Sequence, residues 1–124
     1  MNNAVIMRDD GFHRDDWAGP VLEIAAESRP ESLAELLAAP VLRLRFAAFS
    51  DGRGFTLARR LRAAGYAGRL RAAGPLLADQ YAMARRSGFD EVEISPELAA
   101  RQPEAQWHAR ANWRENDYQT RLRG

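Results

Sequence analysis

The chain has 124 residues and a net charge of +1, so it is sized for one core and carries no strong field toward nucleic acid or a membrane surface. It has no cysteine and only two histidines, His13 and His108, which excludes disulfides, thiolate nucleophiles, cysteine zinc sites and iron–sulfur clusters, and argues against a histidine-rich metal site. All 18 of its permanently basic residues are arginine, so lysine Schiff-base chemistry is excluded and any anion site must use a guanidinium.

In chain order, residues 4–17 contain Asp10-Gly11 between two short extended segments, a hairpin pattern. Residues 21–24 read as a strand. Pro30 then opens a helical pattern with Leu33, Leu36 and Leu37 on one face, which Pro40 ends. Residues 41–46 alternate as a strand. The loop Ser50-Asp51-Gly52-Arg53-Gly54 leads into a helix that presents Leu57, Ala58, Leu61 and Ala64 on one face and stops at Gly65. Residues 68–72 form the next strand. Pro75 opens a helix with Leu77, Tyr81 and Ala84 aligned, closed by Gly88. Residues 91–94 are a strand, and Ser95-Pro96 is a helix start with Ser as cap. Residues 101–124 carry Trp107, Trp113 and Tyr118 among polar groups, without a helical apolar face. Aromatics in such a tail either pack back on the domain or anchor a partner.

The order is α/β: repeated βα units, a mostly parallel sheet of about four strands, and a short N-terminal hairpin. A weak repeat accompanies it, with Arg43-Leu44-Arg45 and Ala58-Arg59-Arg60 recurring as Arg69-Leu70-Arg71 and Ala84-Arg85-Arg86. Residues 1–100 read as one domain, with its core in 21–100, and 101–124 as a tail. One strand face is apolar (Leu22, Ile24, Leu42, Leu44, Phe46, Leu70, Ala72, Val92, Ile94). The other carries Glu23, Arg43, Arg45, Arg69, Arg71, Glu91 and Glu93. That asymmetry favours helices on one side only, the geometry of a partial (β/α) barrel. In sequence order the two arginine pairs become neighbours and repel, unless an anion or another chain neutralises them. The charged face is then either solvated with cross-strand ion pairs or covered by a second copy or partner. An ordinary doubly wound sheet with these charges at its edges is the third possibility.

Ligands of parallel α/β folds sit at the carboxyl ends of strands. Asp51, Gly52, Arg53 and Gly54 fall at one such end. The glycines let backbone N–H groups approach an anion, and Arg53 supplies a bidentate clamp. Arg71 leads into the neighbouring end, and Asp79 and Gln80 open the next helix beside it. These seven residues form the candidate ligand site. The bland alternative is a tight turn with Asp51 as helix cap and Asp79 in an ion pair. Neither Ser50 nor Ser87 has a base beside it in sequence, and no catalytic set emerges. No apolar run approaches the roughly 20 residues of a membrane span. With no signal-peptide pattern, a cytoplasmic protein is expected.

The stretch from Phe46 to Ile94, FAAFSDGRGFTLARRLRAAGYAGRLRAAGPLLADQYAMARRSGFDEVEI, resembles the core of a bacterial family known as domain of unknown function 934. Asp51-Gly52-Arg53-Gly54-Phe55, Gly65-Tyr66, Leu70-Arg71-Ala72, Asp79-Gln80 and Gly88-Phe89 carry the likeness, with Asp16-Trp17 and Tyr118-Gln119 outside it. The chain departs from the family at Ser87, where members often carry Cys, and in the extension Thr120–Gly124. Members are typically encoded beside a sulfite or nitrite reductase. The resemblance therefore implies an accessory role in assimilatory sulfite reduction, without a cofactor of its own, binding the reductase or a small oxyanion. A small enzyme acting on an anionic sulfur-containing or phosphorylated metabolite, with Asp79 as acid or base, and a structural homodimer closed through the charged face are the alternatives.

Overall fold

The computed structural model describes residues 4–15, 17–28, 30, 33–48, 52–109 and 111. Strands β1 (Val5–Arg8) and β2 (Gly11–Arg14) form the expected hairpin, with Asp9 and Asp10 as its turn and Gly11 already in β2. Strand β3 (Leu22–Ala25), helix α1 (Ala34–Leu37), strand β4 (Val41–Arg45), helix α2 (Arg53–Ala63) and strand β5 (Arg69–Ala73) follow. A 3-10 turn (Ala78–Gln80), helix α3 (Tyr81–Ser87), strand β6 (Glu91–Ile94) and helices α4 (Pro96–Arg101) and α5 (Glu104–His108) complete the chain order.

The six strands lie in the order β2-β1-β6-β5-β4-β3. Strands β3 to β6 are parallel and lie in sequence order, while β1 pairs antiparallel with both β2 and β6. The sheet does not close; β2 and β3 are its edges. The register sets Arg43 opposite Arg71, not opposite Arg69, so the 26-residue spacing of the sequence repeat is not the spacing of the sheet.

Alternation decides which side is packed. Leu42, Leu44, Leu70, Ala72, Val92 and Ile94 join Leu57, Ala58 and Leu61 of α2, Tyr81 and Ala84 of α3 and Leu98 of α4 in one buried cluster. Each such large aliphatic side chain contributes about 1.5–3 kcal/mol when removed from water. Gly54 shows how closely α2 sits on the sheet. A Cβ there would overlap the Phe46 ring and lie 2.8 Å from the Ala26 Cβ.

Two segments differ from their sequence patterns. Helix α1 is a single turn, Ala34–Leu37, with only Leu36 buried, and residues 31 and 32 of the expected helix lie outside the described residues. Residues 104–108, read as polar tail, form α5. Trp107 is fully buried there, its ring 6.4 Å from Tyr81 and 6.5 Å from Phe12, and its Nε1–H donates to the Gln102 carbonyl at 2.9 Å. One large aromatic anchors a helix whose other residues are exposed, which a periodicity test does not detect. Trp113 and Tyr118 lie outside the described residues. Among the described residues no helix is long and apolar enough to cross a membrane.

The connection from β2 to β3 has to join opposite edges of the sheet. Five strand spacings of about 4.8 Å make roughly 24 Å. The eight steps from Arg14 to Leu22 reach at most about 28 Å. The described residues on either side of position 16 therefore cross one face, as a strap. Its contacts identify that face: the Asp15 carboxylate accepts two bonds from Arg71, at 3.0 and 3.2 Å, and Trp17 stacks against Arg69 at 5.4 Å.

Candidate functional site

Beneath the strap the two adjacent arginines are neutralised from within the chain. Arg71 donates through Nε to Glu91 at 2.6 Å and through Nη1 to Glu93 at 3.0 Å, in addition to its bonds with Asp15. Glu93 also accepts from Arg43 Nε at 3.1 Å, and Arg43 reaches across to Glu23. Glu91 holds Arg8 at 3.0 Å. The expected repulsion of the arginine pairs is thus resolved without an external anion or a second chain. Arg71, Glu91 and Glu93 are buried. Burial opposes the charge of Arg71, but the Asp15 and Glu91 carboxylates outweigh it and hold the guanidinium more firmly protonated than usual. For Asp15, burial pulls the pKa upward, yet the hydrogen bonds and charge of Arg71 hold the carboxyl below its ordinary value.

The residues proposed from sequence are distributed over the molecule. Arg71 points into the buried network and lines a hollow on the charged face with Asp15 and Val21. Arg53 opens α2 over the apolar face and lines a different hollow with Glu27, Thr56 and Arg60. Asp79 lies in the 3-10 turn, lining a third hollow with Gln106 and Ala109. Gln80 turns back, its Oε1 accepting from the Leu77 N–H at 2.8 Å. Gly52 is exposed, Gly54 is the packing contact described above, and Asp51 lies outside the described residues. Arg53, Arg71 and Asp79 therefore do not converge on one cleft. The physical reason is strand alternation, which sends Arg71 to the face opposite the helices. Ser87 is also structural, its hydroxyl donating to the Met83 carbonyl at 2.8 Å.

The two ends of the parallel strands differ. At the amino ends Arg62 works as a clamp, donating to the carbonyls of Gly88, Tyr66 and Gly68 at 2.9, 2.9 and 3.0 Å and to Asp90 at 2.9 Å. At the carboxyl ends of β5 and β6 the chain opens into a cleft of about 800 Å³. Its floor and walls are Ile94, Leu77, Leu98, Pro75, Pro96 and Ala4, with Arg43 and Glu93 where it meets the charged face and Arg101 and Gln102 along α4. Position and volume match those of ligand sites in α/β folds.

Local chemistry shapes this cleft. After β5 the chain turns at Gly74, φ +130°, where a Cβ would collide with the Phe46 carbonyl; Pro75 then fixes its exit. After β6, Ser95 caps α4 by accepting from the Leu98 N–H at 3.1 Å, and Pro96 holds the first helical position. Each of these two strands is thus followed by one residue and then proline, a repeated signal from which the cleft could have been located in the sequence.

Five main-chain donors around the cleft are occupied. The N–H of Gly74 bonds to the Glu93 carbonyl, that of Leu76 to the Gly74 carbonyl, and that of Ala78 to Gln102 Oε1 at 2.7 Å. Leu77 and Leu98 bond to Gln80 and Ser95, and prolines 75 and 96 have no N–H. Among the described residues no group of His, Cys, Asp and Glu could hold a metal ion.

Searches among curated proteins and among solved structures found no match. The profile of a family described as a bacterial protein of unknown function, DUF934, matches residues 21–124 and so spans every parallel strand and both cleft-forming turns. The chain belongs to that family.

Proposed function

We propose that this chain is a binding protein that works as an accessory of assimilatory sulfite reduction, engaging the sulfite or nitrite reductase through the cleft at the carboxyl ends of β5 and β6. The cleft carries this reading. It is a preformed, largely apolar opening in the part of the fold where α/β proteins hold ligands. The sulfur setting rests on the family likeness of the Phe46–Ile94 stretch. A bare oxyanion is the weaker occupant. An oxyanion needs converging unspent donors, whereas Arg43 and Arg71 are bonded to carboxylates and the main-chain N–H groups described above are used. A protein surface brings apolar groups that such walls accommodate.

The architecture that accompanies this role is a fragment of a (β/α) barrel. Sequence-order parallel strands with helices on one face support it.

The test is capture of the reductase from cells of the native host on the immobilised chain, alongside Leu77→Arg, which places a charge on the cleft wall at a partly exposed position. The wild-type chain should retain the reductase and the variant should lose it. Equal retention by both, or normal reductase assembly and turnover in cells lacking the protein, overturns the proposal.

A further inference from the structure

We infer that the cleft receives an extended acidic–apolar segment of a partner chain, and that Arg101 selects the acidic charge. The inference rests on the binding role above and names the chemistry of what fills the cleft. Three observations carry it.

The first is the state of the charges. Glu93 is shared between Arg43 and Arg71, and Arg43 is shared between Glu93 and Glu23. Arg101 is exposed on the last turn of α4 and makes no ion pair with another described residue. The unspent charge along the cleft is therefore positive, which suits a carboxylate and repels a lysine or arginine.

The second is the absence of main-chain pairing. Prolines 75 and 96 stand at the two strand exits and offer no N–H, and the N–H groups of Gly74, Leu76, Leu77, Ala78 and Leu98 are bonded within the chain. With so few main-chain donors left, the cleft is poorly suited to strand addition. Recognition has to come from side chains: an apolar group against Leu77 and Leu98, and an acid toward Arg101.

The third is shape. The cleft is open rather than enclosed, and Arg43 and Glu93 line both it and the neighbouring hollow beside the strap, so the two openings are adjacent. A trough of that form follows an extended chain better than it surrounds a compact small molecule, whose site encloses most of its surface.

The probe is the peptide acetyl-Ala-Leu-Asp-Leu-Ala-amide, titrated into the full-length, methyl-labelled chain and followed by NMR. A counterpart with Lys in place of Asp is titrated in parallel. The methyl groups of Leu77 and Leu98 should shift, and the acidic peptide should bind about fivefold more tightly, the factor an exposed ion pair supplies. Arg101→Glu, a substitution at an exposed position, should reverse the order. Affinities within twofold of each other for the two peptides, an unchanged order in Arg101→Glu, or shifts confined to other methyl groups overturn the inference. The same variant separates it from the proposed function. If Arg101→Glu still captures the reductase as well as wild type, the role stands and the acidic selection fails. If the peptides sort as expected but the reductase is not captured, the selection stands and the reductase assignment fails.

Discussion

Replacing Arg71 with methionine removes a cation that touches three carboxylates and leaves a side chain of comparable length in its place. Asp15 loses both of its bonds to Arg71 but lies near the surface, with 15% of its side chain exposed. Glu91 keeps Arg8 at 3.0 Å and Arg69 at 3.7 Å, and Glu93 keeps Arg43. Breaking one partner of a buried ion pair costs about 3–5 kcal/mol. The surviving arginines place this case at the lower end, about 3 kcal/mol. With a urea slope of about 2 kcal/mol/M, the unfolding midpoint should fall by about 1.5 M. Arg45→Met is the control. Arg45 is 56% exposed and has a single 3.4 Å ion-pair contact with Glu23, so its loss should cost under about 0.5 kcal/mol. Acid adds a second readout. Asp15 has a depressed folded pKa, so its stabilisation is present above its ordinary value of 3.8 and is lost as pH falls below that. Arg71→Met should remove this part of the acid sensitivity. A midpoint within about 0.3 M of wild type with an unchanged slope, on the same scale, would refute the view that the network under the strap is desolvated.

Three further outcomes follow from the packing. Gly54→Ala should destabilise the chain by about 1–3 kcal/mol through overpacking against Phe46 and Ala26, read as a lowered thermal midpoint; a neutral result would mean that α2 shifts freely on the sheet. Ser95→Ala should cost about 1 kcal/mol by freeing the Leu98 N–H, and Ser95→Asp should restore most of it in the same melt. Tyr81 is neutral in the folded state well beyond the usual phenol range, because it is buried and its hydroxyl donates to Asp9, whose charge adds to the effect. Its stabilisation is full below the ordinary value of 10.0 and is lost as pH rises above it. Between pH 9 and 11 the wild-type chain should therefore lose more stability than Tyr81→Phe, and parallel curves would contradict the assignment.

The parallel strands were legible because each alternates apolar residues with Arg or Glu, a period that helices on one side and the ion-pair network on the other both enforce. The hairpin, the α2 and α3 stops at Gly65 and Gly88, and the Ser95 cap were legible because single residues set them. The strap was not. Asp15 and Arg71 stand 56 positions apart, and no local pattern links them. The candidate site failed to assemble for a reason the sequence did contain. Arg71 shares parity with Arg43 and Arg69, so it belongs to the charged face, whereas Arg53 and Asp79 ride on elements over the apolar face. Nearness to a strand end does not bring two side chains together when they turn to opposite faces of the sheet. Arg101 escaped notice because it sits on a helix after the last strand, where only the three-dimensional path brings it beside Pro75.

The hairpin's place in the sheet also sets an order of events. Among the described strands β1 is translated before all the others, yet its neighbour β6 is translated after them, and the bond between Arg8 and Glu91 spans 83 positions. Until β6 appears, the hairpin can pair only with itself, and a lone two-stranded hairpin is marginal in water. The parallel strands can meanwhile form stepwise from near neighbours, so closure of the longest loop falls at the end of folding. The free edge of β6 is then a late and specific landing place. A nascent chain stalled before Glu91 would expose the Met7 side of its hairpin and be the species most prone to aggregate during synthesis.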